Sequence, residues 1–237
     1  MKKRYFNVLF AILVLCSMLL LSDKSVETMK HMFSRSKQPK EDHRLTVVID
    51  AGHGGFDPGK VGVNGVLEKD INLAIAMHLK ELLELNDLKV VMLRTTDEAL
   101  HTEGVSGKKA SDLKKRVQLM AEANPVLAVS IHQNSFPQES SYGAQVFYYT
   151  ESEQGKEFAQ IMQATLKECI TDGNHRMEKP NKDYYLLKKS TCPLLIVECG
   201  FLSNHKEAKL LSTEKYQREM AWAIHMGVMR YLNTIEQ

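Results

Sequence analysis

The chain has 237 residues, 43% hydrophobic and 25% charged, an ordinary globular balance with room for one substantial domain. Its formal net charge is +2, but residues 1–44 carry nine Lys/Arg against four Asp/Glu, leaving a net of −3 over residues 45–237. The basic character therefore sits in the N-terminal arm, and the globular part has no electrostatic reason to bind nucleic acid.

At the N-terminus, Lys2, Lys3 and Arg4 precede an uncharged apolar run, Tyr5–Leu21. This is the pattern of a signal peptide or signal anchor over residues 1–22. No A-x-A-like site follows it, so an uncleaved anchor is the preferred reading. Cys16 follows Leu15 rather than a small residue and is not read as a lipoprotein site. The positive flank predicts the N-terminus inside and the domain exported, held at the outer face of the membrane. Residues 23–44 are polar, charged and without an apolar period, and read as a linker.

From residue 45 onward strand and helix signals alternate. That pattern predicts one α/β domain over 45–237, a mostly parallel twisted sheet of about six strands flanked by helices. Leu45–Ile49 is the first buried strand; it stops at Asp50 and opens into a glycine-flanked loop carrying His53. Ligands in such sheets gather beyond the carboxyl ends of the strands. The loop is not a phosphate cradle, because Asp57 stands where a third glycine belongs and no helix starts there. A Gly-rich connection then ends at Glu68.

Helical spacing of Ile71, Ile75, Leu79, Leu82 and Leu83 predicts a helix over Lys69–Leu85, with His78 beside its apolar stripe. Lys89–Leu93 is a short strand, and the polar stretch Glu98–Lys109 is the expected mobile loop. Ser111 and Asp112 mark a helix start, with Leu113, Val117 and Met120 as its buried face. Leu127–Ile131 is a strand ending at His132. Tyr142–Tyr149 is a further strand, and Ser152–Ile170 a long amphipathic helix. Thr171–Asp183 is irregular, Leu194–Val197 a buried strand ending at Glu198, and Thr213–Leu232 the closing helix. Cys169, Cys192 and Cys199 read as free, mostly buried thiols. Cys192 and Cys199 bracket a strand of roughly 20 Å, beyond disulfide reach. No Cys/His spacing suits a zinc finger.

Three strands thus end in a chemically capable residue: His53, His132 and Glu198. In a parallel sheet those ends share one rim, and Glu68 lies on the loop leaving the first strand. Two histidines and a carboxylate with an open fourth position make a catalytic zinc pattern, in which a second carboxylate serves as base. The residues alone leave other readings open: His53 as a loop histidine bonded to backbone, His132 as a strand-end cap. Glu198 resists such a reading, since a carboxylate after four buried apolar residues is costly unless paired or working.

Four ordered motifs carry a resemblance. Asp50-Ala-Gly-His-Gly-Gly with Asp57-Pro-Gly, Gly65-x-x-Glu68-Lys-Asp, Ser130-Ile-His132-x-Asn134 and Val197-Glu198-Cys-Gly-Phe-Leu-Ser-Asn204 are similar to the zinc-dependent N-acetylmuramoyl-L-alanine amidases of the amidase-3 family. The likeness runs from about Leu45 to Leu232. It implies one Zn2+ held by His53, Glu68 and His132, and Glu198 as the catalytic residue. It also implies hydrolysis of the amide between N-acetylmuramic acid and L-alanine in peptidoglycan. Ala51 stands where many members have Pro, and Glu98–Lys109 follows no shared pattern.

The short architecture without wall-binding repeats most resembles the germination-specific, spore-associated members. That implies work on spore cortex, where exposed muramic acid forms its lactam, and a location in the cell wall or spore envelope. A protein activator or a co-acting cell-wall deacetylase would be the protein partners. The competing readings are another zinc peptidase trimming stem peptides, and a non-catalytic peptidoglycan-binding domain.

Overall fold

The computed structural model describes residues 43–235, apart from 103, 105 and 172. The expected membrane-directed segment 1–22 and the linker up to residue 42 lie outside the described residues. Among the described residues no helix is long and apolar enough to cross a membrane.

The elements alternate as expected: β1 (Thr46–Ala51), α1 (Glu68–Leu85), β2 (Lys89–Met92), α2 (Lys108–Ala123), β3 (Leu127–Asn134), β4 (Gln145–Tyr149), α3 (Glu153–Cys169), β5 (Lys179–Asn181), α4 (Tyr185–Lys189), β6 (Leu194–Phe201), α5 (His205–Leu211) and α6 (Glu214–Ile235). Six strands form one sheet in the order β2-β1-β3-β6-β4-β5. β1 pairs in parallel with β2 and β3, β3 with β6, and β4 with β5. β4 alone runs against its neighbour β6. The sheet is therefore mixed, parallel except for that one pairing.

The central strands are apolar on both faces because helices cover both. Val47, Ile49, Leu127, Val129, Leu195 and Val197 point into a core shared with α1, α3 and α6. Val48, Ala128, Leu194 and Ile196 point the other way, against Met120 of α2 and Leu186 and Leu187 of α4. The two-residue period of a strand divides the sequence between these cores. On the first face α6 packs on both α1 and α3, with the Phe158 and Tyr231 rings stacked at 4.5 Å.

The structure corrects several sequence boundaries. Glu68 is the first residue of α1 rather than part of the preceding loop. α2 begins at Lys108, so Asp112 is no cap; its carboxylate accepts from Leu100 N–H and from Arg116 Nε, both at 2.6 Å. β3 and β6 continue through His132 and Glu198 instead of ending there. The strand expected from Tyr142 starts at Gln145, and β5 lies inside the stretch read as irregular. Cys169 is exposed rather than buried; Cys192 is half-buried, Cys199 buried, and all three are free. In the stretch expected to be mobile, the backbone of Glu98 and Ala99 lies against Gly54 and Gly55.

Candidate metal centre

The site is built along the adjacent strands β1, β3 and β6. β1 delivers the chain to Gly52, whose N–H donates to Ile131 O at 3.0 Å, so the loop leaves the sheet beside β3. A Cβ at Gly52 would stand 2.3 Å from the His132 ring. Only glycine lets the two segments approach this closely. His53 follows with a φ of 62°, a left-handed conformation that costs a non-glycine residue energy and needs outside support. That support comes from Arg116, whose Nη2 donates to His53 O at 2.6 Å. Arg94 holds the preceding turn, donating to Ala51 O at 2.8 Å and Gly52 O at 3.0 Å.

His53, Glu68 and His132 converge. Glu68 Oε1 lies 3.1 Å from His53 Nε2 and 3.0 Å from His132 Nδ1, and the two rings meet edge to face at 4.9 Å. One ligand atom from each of the three lies within 4.8 Å of the others, a set that can hold a metal ion. Glu68 is held by two further donors, both backbone N–H groups. Its Oε2 accepts from Lys60 N–H at 2.8 Å and its Oε1 from Gln133 N–H at 3.1 Å. Gly59 leaves room for it: a Cβ there would fall 2.5 Å from Glu68 Oε2.

The donor set fits a cation. Asp57 Oδ2, an acceptor, lies 2.9 Å from His53 Nδ1, so that nitrogen carries the proton. Nε2 then faces a carboxylate oxygen, Glu68 Oε1, and a proton or a metal has to lie between them. A carboxylate on the far nitrogen of a histidine is also the usual outer support of a zinc ligand. Asp57 is itself held by Lys109 Nζ at 2.9 Å.

Glu198 stands beside this group. It pairs in register with His132 across β3 and β6. It is 9% exposed, and its Oε2 is buried without a hydrogen-bond partner. Burial, with the nearby Glu68 charge reinforcing it and His132 opposing it, pushes the Glu198 carboxyl up to about 7. Glu68 goes the other way. Burial raises it, but the bonds and charges of His132 and His53 outweigh that and hold it far below the ordinary carboxylate range. The two carboxyls thus differ: Glu68 is bonded to both histidines, while Glu198 Oε2 has no partner. Both line a cleft of about 440 Å³ with Lys60, Asn134, Tyr184 and Tyr185.

The four residues singled out in the sequence therefore come together. The family model for N-acetylmuramoyl-L-alanine amidases (Amidase_3) matches residues 47–230. This chain belongs to the amidase-3 family. The germination-specific N-acetylmuramoyl-L-alanine amidase of Bacillus subtilis is 37% identical over 188 residues, covering 78% of each chain. The CwlD amidase from Clostridioides difficile, solved in complex with the GerS lipoprotein, superposes with a TM-score of 0.78. It is 42% identical and covers 81% of this chain and 100% of that one. The catalytic domain of the amidase CwlV from Bacillus (Paenibacillus) polymyxa var. colistinus gives a TM-score of 0.70 at 32% identity, over 80% and 98% of the two chains.

Membership in this family does not by itself point to the supporting residues that sequence reasoning missed. Asp50, fully buried, is bonded by Arg116 Nη1 and by Ser130 Oγ, the latter at 2.6 Å. Its signal was present: a carboxylate closing an apolar strand requires a buried partner. Arg116 lies on the helical face already marked by Leu113, Val117 and Met120. Tyr184 and Tyr185 were invisible, because α4 has five residues and is too short to show a period.

Proposed function

We propose that this chain hydrolyses the amide bond between N-acetylmuramic acid and L-alanine in peptidoglycan, with one Zn2+ held by His53, Glu68 and His132. The observation that carries the reading is the buried, unpartnered Glu198 Oε2 beside a converging His-Glu-His set, in a chain of the amidase-3 family. The chemistry a bound Zn2+ supplies there is Lewis acidity, which brings water towards neutral pKa and stabilises a developing oxyanion. Glu198 takes the proton of the attacking water and returns it to the departing alanine nitrogen. Its buried Oε2, with no hydrogen-bond partner, is free to make both transfers. Asp57 fixes the ring of His53, while Arg116 and Arg94 hold the strained loop that carries it.

The biological setting we infer is spore cortex, where cleavage exposes muramic acid for lactam formation or acts in germination. The likeness to a germination-specific amidase supports it. We infer an exported enzyme at the outer face of the membrane or in the wall or spore envelope, from the Lys2–Arg4 and Tyr5–Leu21 pattern. A protein partner belongs to the same proposal, since a similar amidase is solved with a lipoprotein.

The test is release of new N-terminal L-alanine from purified peptidoglycan by the full chain, assayed before chelation, after it, and after zinc is restored. Alanine termini should appear, vanish and return. Release of a C-terminal amino acid instead, or activity indifferent to chelation, would overturn the assignment.

A further inference from the structure

The basic groups around the His53 loop are almost all engaged. Lys69 Nζ is bonded to Asp97 at 2.6 Å, Lys109 Nζ to Asp57 at 2.9 Å, and Arg116 to Asp50 and Asp112. Arg94 spends its guanidinium on backbone carbonyls. Lys60 differs. It is exposed, and its ammonium makes no hydrogen bond or close ion pair with a carboxylate or carbonyl among the described residues, although its charge reaches Glu198 across the cleft and lowers that carboxyl. It is also the one lysine or arginine among the described residues that lines the 440 Å³ cleft.

Its backbone is fixed to the centre from both sides. Lys60 N–H donates to Glu68 Oε2 at 2.8 Å, and Glu68 N–H donates to Lys60 O at 2.9 Å. The side chain therefore starts from a point tied to the residue that faces both histidines. The rest of the polar lining is neutral, as with Gln133, Asn134, Ser135 and Tyr184, or belongs to the His-Glu-His set and Glu198. A tethered cation with no close ion pair, on the wall of such a cleft, selects an anion on the bound molecule.

On the amidase reading, which this inference deepens, the substrate offers one nearby. The residue after L-alanine in stem peptides is a glutamate linked through its side-chain carboxyl. Its α-carboxyl is left either as a free carboxylate or as the carboxamide. We propose that Lys60 is a specificity residue that binds the free α-carboxylate of this second stem residue, so that the enzyme favours unamidated stems. It touches the peptide rather than the reacting atoms; its charge also reaches Glu198, an effect common to both stems, so the preference between them is read in KM. The contact is solvent-accessible, so salt weakens it.

The experiment compares two disaccharide-tetrapeptides that differ only in that carboxyl, acid against amide, as substrates for the zinc-loaded full chain. The wild type should favour the acid about fivefold in kcat/KM at low salt, an effect of the size an exposed ion pair supplies. The preference should shrink as salt is raised. Lys60→Met should bring the ratio near one through a rise in KM for the acid. Lys60→Arg should keep the preference, and so should Lys215→Gln on the exposed outer end of α6. Equal metal content in all variants separates loss of the charge from damage to the Glu68 contact. A wild-type ratio near one, or a preference that survives Lys60→Met, overturns the assignment. If the wild type exposes L-alanine termini from neither compound, the amidase reading itself fails and Lys60 loses its ligand with it.

Discussion

Arg116 Nη2 donates to the backbone carbonyl of His53 at 2.6 Å, joining the middle of α2 to the loop beyond β1. The same guanidinium bonds Asp50, Asp112 and Ala51 O. It is 2% exposed, so it acts as a buried clamp on the left-handed turn that aims the His53 ring.

Replacing it should therefore damage stability and the metal site together. Arg116→Met leaves Asp50 buried without its charge partner, a change that costs about 3–5 kcal/mol. Zinc affinity should fall about 10–100-fold, as it does when an outer support of a ligand is lost. Thermal unfolding and competitive zinc titration read the two effects. An unchanged melting temperature with full zinc affinity would show that the loop holds its shape without the clamp.

Glu198 makes the opposite prediction. Its Oε2 faces the site unpartnered, and the His-Glu-His set does not include it. Glu198→Gln should lower kcat on the order of a thousandfold, within the range for losing a general acid/base. Zinc content, measured by atomic absorption, should stay at the wild-type level. Metal lost in step with activity would make Glu198 a ligand and overturn its role as proton carrier.

Asp50 sets an acid limit. Burial raises its carboxyl, but the Arg116 charge, the Ser130 hydroxyl and His132 outweigh that and hold it below its ordinary value of 3.8. A group depressed in the folded state stabilises it fully above the unfolded pKa, and that stability is lost as pH falls through the folded one. The domain should accordingly lose stability as pH drops below about 4. Asp50→Asn should be less stable at neutral pH yet flatter in that acid range. Denaturant titrations at several pH values measure both slopes, and parallel acid limbs for the two proteins would rule out this origin.

Much of the site was legible in the sequence because its ingredients are local. An apolar β-branched run closing on Asp50, glycines around His53, and polar residues placed directly after apolar strands all mark the rim of an α/β sheet. Helices α1, α3 and α6 were readable for the same reason: 17 to 22 residues carry a period of 3.6 long enough to count. α4 and α5, five and seven residues long, carry no such period.

By itself, then, the sequence determined the α/β alternation and the candidacy of His53, Glu68, His132 and Glu198, since backbone period and side-chain chemistry are properties of short stretches. Only the tertiary structure decided that β3 and β6 continue through the site, pairing His132 with Glu198. It alone decided that Arg116, 63 residues beyond His53, holds the loop, and that Lys60 makes no close ion pair while its basic neighbours are engaged. Register and the pairing of buried charges are settled by which segments the sheet brings together. The energy that fixes them is the cost of leaving a buried carboxylate or carbonyl without a partner, which no window of neighbouring residues contains.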